Sequence, residues 1–136
     1  MIELAKKNNP TANFKVMDCR QINNLDTKYD GIVCGFCLPY LAEADSSKLV
    51  FDCNRLLADN GILYLSFVEG DKNKSGFQVG SSGDRTYFHY YNINNLELLL
   101  FDNGFEKLKI FKVSYKKTDE SSDEHTILLT KKKTTA

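Results

Sequence analysis

"YDGIVCGFCLPYL" (Tyr29–Leu41) decides the fold. An acidic residue and a glycine lead into the apolar run Ile32, Val33 and Cys34. The run breaks at Gly35 and stops at Leu38-Pro39. The stretch has three readings: a redox CxxC, half of a metal site, or a strand whose end turns over a ligand. A thioredoxin-type pair sits at the start of a helix, where the helix N-terminus stabilises a thiolate. Here Cys34 lies inside the apolar run and Cys37 runs into Leu38-Pro39. Strand alternation also sends Cys34 and Cys37 to opposite faces. No second CxxC follows, and His89 and His125 lack ligand spacing, so no metal site is expected. The stretch reads best as a strand followed by a ligand-facing turn. It is apolar on both faces, as central parallel strands are. Gly35 lets a backbone or ligand approach closely, Phe36 and Leu38 supply apolar wall, and Pro39 ends the strand.

Downstream, Asp45, Ser46 and Ser47 offer N-caps for a helix carrying Leu49, Val50, Cys53, Leu56 and Leu57. "ADNG" ends that helix, and "GILYLSFVEG" is the strongest strand pattern in the chain. Residues Asp71 to Arg85 are rich in Gly, Ser, Lys and Asn and read as a mobile loop, with 71–84 placed to close over a substrate. Asn92 caps a helix bearing Leu96, Leu99 and Leu100, stopped by Gly104. "EKLKIFKVSY" and "EHTILLTKK" read as antiparallel strands joined by the solvated turn "TDESSDE", and residues 131–136, "KKKTTA", as a disordered tail. Upstream, "MIELAKKNNP" reads as the end of a helix and "NFKVMDCR" as a short strand. This order predicts an α/β fold with a mostly parallel sheet, an antiparallel last strand and helices on both faces. Ligands of such sheets bind beyond the carboxyl ends of the strands, which points to Asp18–Arg20, Gly35–Tyr40 and Val68–Gly70.

The chain has 136 residues, which suits one domain. It carries 18 basic and 18 acidic side chains, so no overall field recruits nucleic acid or an anionic membrane. No apolar run has the length of a membrane span, and "MIELAKKNN" is too charged for a signal peptide. Cys19, Cys34, Cys37 and Cys53 sit in apolar settings and read as reduced, half-buried thiols, which suits a cytoplasmic protein.

"NFKVMDCR", "KYDGIVCGFCLPYL", "LLADNGILYLSFVEG" and "YFHYYNINNLELLLFDNGFEKLKI", taken in order and spacing, resemble the later two-thirds of a small-molecule methyltransferase of the class I, S-adenosylmethionine-dependent family. The resemblance implies a Rossmann-like sheet whose last strand is antiparallel, and S-adenosylmethionine as cofactor. It also implies roles for single positions. Asp18 resembles the acid that accepts a hydrogen bond from the adenine amino group, and Cys19 follows where the backbone meets the ring. Gly35 and Phe36 resemble residues beside the methionine part of the cofactor. Leu38, Pro39 and Tyr40 would lie near the cofactor or the substrate mouth. The alternative for Asp18 is a plain turn or cap carboxylate.

The family's glycine-rich turn after a first strand, and the acid that grips the ribose hydroxyls, have no counterpart here; no apolar strand leads into "VGSSGDR". The expectation is a single domain over 1–136, incomplete at its N-terminus, with Met1 an internal methionine. Two strands of the family's sheet are then missing between the "FKVMD" and "GIVCG" strands. Phe14–Asp18 is expected either to close directly onto Gly31–Cys34 or to pair with another copy.

The chemical candidates come from "GDRTYFHYY". His89 is a base or a substrate-orienting group. Tyr87, Tyr90 and Tyr91 offer an aromatic wall to a methyl sulfonium or a planar substrate, and Arg85 a partner for a substrate carboxylate. The competing reading packs these aromatics on the core as a lead-in to the next helix. At the level of function, an enzyme that methylates a small molecule stands against a non-catalytic binding or assembly module and, more weakly, a thiol redox protein.

Overall fold

The structure is a computed structural model that describes residues 2–70, 73, 75–79, 83, 85–116 and 122–133. Helix α1 (Ile2–Asn8) is followed by an extended segment and a 3₁₀ segment over Cys19–Asn24. Strand β1 (Tyr29–Cys34) leads through a 3₁₀ turn at Leu38–Tyr40 into helix α2 (Glu43–Leu56), then strand β2 (Leu57–Glu69). A hairpin, β3 (Gly76–Val79) and β4 (Arg85–Phe88), precedes helix α3 (Ile93–Asp102) and strands β5 (Phe105–Lys116) and β6 (Ser122–Lys132).

Four strands form the main sheet in the order β1-β2-β6-β5. Strands β1 and β2 are parallel; β6 is antiparallel to both of its neighbours. The last strand is thus inserted between β2 and β5. The antiparallel finish is as expected, but the parallel part of the sheet is a single pair. The cause lies at "NFKVMD": residues 13–18 form no strand and do not close onto β1. Among the described residues only β2 flanks β1, so β1 is an edge strand with Val33 74% exposed, not a central strand buried on both faces. A chain segment as short as Phe14–Asp18, without a second apolar face, gains too little to hold a ladder alone.

Strand β2 forms where the sequence pattern is strongest, and it is buried continuously from Leu65 through Val68. Leu63, Leu65 and Phe67 are fully buried and pack with Leu128 of β6 against Leu49, Val50 and Cys53 of α2 and Leu96 and Leu100 of α3. Among the described residues α2 and α3 pack on this one face, and α1 buries no residue. The α2 N-terminus differs from the sequence expectation. Its N-cap is Ala42, and Ser46 is buried within the helix instead of capping it. Asn92 does cap α3, its side chain accepting from the N–H groups of Asn94 and Asn95 at 2.9 and 3.3 Å.

"ADNG" separates α2 from the regular part of β2 by distorting the strand's start. The ladder to β1 shifts register between the Tyr29–Leu57 and Gly31–Ile62 pairs, and Asn60 has a left-handed φ of 63°. A Cβ at Gly61 would stand 2.8 Å from the Ala58 carbonyl oxygen, so only glycine fits there. Residues Lys131 and Lys132 belong to β6, so the tail does not begin at 131; 134–136 lie outside the described residues, as do 117–121 of the acidic turn. The span expected as a loop from Asp71 to Arg85 carries the β3–β4 hairpin instead. Positions 71, 72, 74, 80–82 and 84 of that span lie outside the described residues. No described helix is long and apolar enough to cross a membrane.

Candidate functional site

The carboxyl end of β1 carries the first cluster. Beyond Cys34 the chain makes a sharp turn at Phe36, whose φ is 52°, a left-handed value that costs a non-glycine residue energy. Two contacts hold it there. The Phe36 N–H donates to Ser66 Oγ of β2 at 2.8 Å, and the Phe36 ring stands edge-on to His125 of β6 with centroids 5.0 Å apart. A Cβ built on Gly35 would meet nothing within 4 Å, so the turn leaves open space beside its backbone. Leu38 differs from expectation. It is wholly buried in the core and anchors the turn from beneath instead of lining a ligand wall.

This turn also overturns the expected divergence of Cys34 and Cys37. Their thiols interact with each other, Cys37 also interacts with Cys19, and Cys34 with Cys53. Reversal of the chain at Phe36 brings both side chains to one side, which strand alternation does not anticipate. All four thiols are free. The Cys34 thiol is pushed up to about 12, with hydrogen bonding to Cys53 and burial as the raising causes. Hydrogen bonding to Cys34, then burial, pushes Cys37 upward too, and burial raises Cys19. These are protonated, weakly nucleophilic thiols, the opposite of a thioredoxin pair. No group of three or more candidate metal ligands comes together among the described residues.

Asp18 and Cys19 reach the same place through the Cys19–Cys37 contact. Asp18 caps the 3₁₀ segment, accepting from the Arg20 N–H at 2.9 Å and forming an ion pair with its guanidinium at 2.6 Å. The Arg20 hydrogen bonds hold the Asp18 carboxyl at about 2, well below the usual range. The cap role is therefore the one the geometry displays.

The second cluster is a cavity of about 660 Å³ whose walls include Tyr87, His89, Tyr90, Tyr91, Glu43 and Asn92. The rings of Tyr87 and His89 are 4.6 Å apart. Backbone bonds fix the segment: the His89 N–H donates to the Pro39 carbonyl at 2.7 Å, the Tyr91 N–H donates to the Val68 carbonyl of β2 at 3.2 Å, and the Tyr91 carbonyl accepts from the Gly70 N–H at 3.1 Å. The Tyr91 hydroxyl donates to the Leu41 carbonyl and accepts from Ser46 Oγ at 2.6 Å. Tyr91 is thus a brace between α2 and β2, and burial raises its phenol. The sequence-predicted trio Tyr87, His89 and Tyr90 comes together here. Arg85 and Tyr40 do not line this cavity. Arg85 stacks over Phe77 at 4.5 Å, and Tyr40, 60% exposed, meets Phe88 edge-on at 6.0 Å. The His89–Pro39 bond joins the two clusters side by side.

Two residues that shape the first cluster have weak sequence signals. Ser66 interrupts the apolar run "ILYLSFV", and that single polar residue marks the turn's anchor. His125 gives no local sign that it lies against Phe36. Glu69, a candidate substrate contact by position, is committed instead to Lys112 at 3.2 Å and Thr126 at 3.3 Å.

A family profile described as "Methyltransferase domain" matches residues 1–65. The 235L protein of Invertebrate iridescent virus 6, which carries a methyltransferase name, is 26% identical over 134 residues, covering 90% of this chain and 49% of the relative. The chain thus spans about half the length of the curated relative it matches. Among solved structures, an S-adenosylmethionine-dependent methyltransferase of Methanosarcina mazei superposes with a TM-score of 0.78 at 17% identity, over 98% of this chain and 78% of the other. The 1,6-didemethyltoxoflavin-N1-methyltransferase of Burkholderia thailandensis, solved with its substrate and S-adenosylhomocysteine, superposes with a TM-score of 0.59 at 15% identity, over 83% and 48%. In sequence and in architecture alike the chain is similar to the class I S-adenosylmethionine-dependent methyltransferases, and its fold is theirs.

Proposed function

We propose that this chain supplies part of a site for S-adenosylmethionine-dependent methyl transfer to a small molecule, in a cytoplasmic protein. One observation carries the reading: Cys19, the open space at Gly35 and the strained Phe36 meet at the carboxyl end of β1, beside the aromatic cavity of Tyr87, His89 and Tyr90. Strain kept at such a place is a mark of function. The Burkholderia neighbour, which takes a small heterocycle, supports the acceptor class.

The cofactor contributes an electrophilic methyl group on a sulfonium. The chain's residues position and shield. Asp18, ionised across the working pH range, accepts the adenine amino hydrogen while Arg20 holds it in place. Gly35 and Phe36 flank the methionine portion. Tyr87 and Tyr90 wall the acceptor, and His89 orients it or takes its proton when the acceptor must lose one. The sequence holds no glycine-rich turn and no ribose-gripping acid, and two lost charge-assisted hydrogen bonds cost roughly 3–6 kcal/mol. Relative to a micromolar site, that weakens binding by about two to four orders of magnitude, to millimolar or worse.

Titration of S-adenosylhomocysteine into the labelled chain, followed by amide NMR, tests this. Millimolar binding should perturb Asp18–Arg20 and Gly35–Cys37 first, and Asp18→Asn should weaken it. Perturbations confined to other surfaces would overturn the assignment. A second reading, an assembly module without catalysis, is favoured by the unpaired edge of β1.

A further inference from the structure

The charges around the aromatic cavity differ from those the sequence suggests. Arg85 is the cation expected to meet an acceptor carboxylate, yet it stacks over Phe77 and does not line the cavity. Among the described wall residues none is a lysine or an arginine, and the one carboxylate is Glu43. Glu43 stands in the first turn of α2 with a second acid, Asp45. Burial raises the Tyr91 phenol first, and the negative charges of Glu43 and Asp45 raise it further, so both carboxylates act on the cavity wall. Glu43 forms no ion pair among the described residues. Arg20 feels Asp45 but is bound to Asp18 at 2.6 Å. The positive end of α2 offsets only about half a charge. At α3, Asn92 accepts from the N–H groups of Asn94 and Asn95, so those amides are not free to hold an anion. In the span 71–84 the positions outside the described residues add two acids, Asp71 and Asp84, and two bases, Lys72 and Lys74, whose charges cancel. The remaining wall is aromatic: Tyr87, Tyr90 and Tyr91 beside His89, with the Tyr87 and His89 rings tilted by 53°. Tyrosine ring faces carry negative potential and attract cations.

We propose that the cavity selects a positively charged acceptor with a planar ring: an aromatic or heteroaromatic amine, bound as its ammonium. This rests on the cavity being the acceptor site of methyl transfer. Tyr87 and Tyr90 offer their rings to the planar part, and Glu43 draws the ammonium. The ammonium proton goes to the His89 imidazole, which leaves the nitrogen lone pair free. An acceptor bearing a carboxylate would instead meet Glu43 at like charge, with no described lysine or arginine on the wall to hold it. A cavity of about 660 Å³ has the size of a small-molecule site.

Three probes of similar size separate the effect of charge: benzylamine, benzyl alcohol and benzoate. Each is titrated into the labelled chain at neutral pH and followed by amide and aromatic-ring NMR. Benzylamine should shift the signals of Tyr87–Tyr91 and bind at least about tenfold tighter than benzoate. Glu43→Gln should cut that gap to about threefold or less. Glu106→Gln, on β5, should leave it unchanged. Circular dichroism establishes that each variant is folded. If Glu43→Gln does not fold, salt gives the same reading: raising ionic strength from about 0.05 to 0.5 M should weaken benzylamine and leave benzyl alcohol alone. Benzoate or benzyl alcohol binding as tightly as benzylamine overturns the proposal. So does a gap that survives Glu43→Gln, or no benzylamine binding below about 20 mM. S-adenosylhomocysteine is titrated separately. Shifts at Asp18–Arg20 and Gly35–Cys37 without an amine preference sink this inference alone. An amine preference without those shifts sinks the methyl-transfer reading, and the acceptor role with it.

Discussion

At the scale of single residues, the sequence named the right places better than it named the contacts made there. Asp18 was legible as a special carboxylate because it closes an apolar run, but its grip on Arg20 is a local loop geometry that no spacing rule anticipates. Its stabilising contribution is present above the ordinary carboxylate range and is lost as pH falls through about 2. Arg20→Ala should therefore return the Asp18 titration toward its usual 3.8, readable by carboxyl NMR. Cys34 and Cys37 were expected on opposite faces, and the left-handed Phe36 defeats that inference by reversing the chain between them. With Cys34 at about 12 against the usual 9.0, its thiolate fraction at pH 8 falls roughly a thousandfold. Iodoacetamide should accordingly label Cys34 much more slowly than a free thiol peptide, the higher nucleophilicity of a more basic thiolate offsetting only part of the lost fraction, as mass spectrometry of timed digests would show. Rapid labelling would revive the redox reading.

Among elements, β1, α2, α3, β5 and β6 and the apolar part of β2 were legible from their apolar patterns, and for α3 the Asn92 cap agreed with the pattern. "NFKVMD" misled, since it has the pattern of a strand and no neighbour to pair with. Ladder bonds are supplied by partners, and a sequence window does not show them. The hairpin of β3 and β4 was missed for the opposite reason. Its strands are four residues each and polar or glycine-containing, too short for periodicity to register. The α2–β2 junction rests on a backbone contact. Gly61→Ala would drive a methyl group into the Ala58 carbonyl and should destabilise the fold by about 1–3 kcal/mol, the usual range for overpacking. Urea denaturation gives the number, and a change below about 0.5 kcal/mol would mean that the junction relaxes freely.

For the molecule as a whole, the α/β class was legible from element order, the Rossmann-like arrangement from the family resemblance, and the composition of the candidate cavity from one aromatic-rich stretch. The one-sided layering was not. Layering is set by long-range contacts between helices and sheet, which no sequence window displays, and α1 buries no residue.

The position of β6 has a consequence for how the molecule is made. Among the described residues strands β2 and β5 are bridged by β6, which leaves the ribosome after both, and Lys132 near its end donates to the carbonyls of Asn54 and Leu57 at 2.8 and 2.9 Å. Until that strand emerges, the growing chain has one two-stranded parallel ribbon and an unpaired β5, with Leu63, Leu65 and Phe67 only partly covered. Native pairing therefore waits until β6 is synthesised, and until then the nascent chain offers a hydrophobic β2 edge to chaperones. A ribosome-stalled chain ending at residue 121 should stay protease-sensitive, and one carrying the full 136 residues plus a linker that clears the exit tunnel should become resistant.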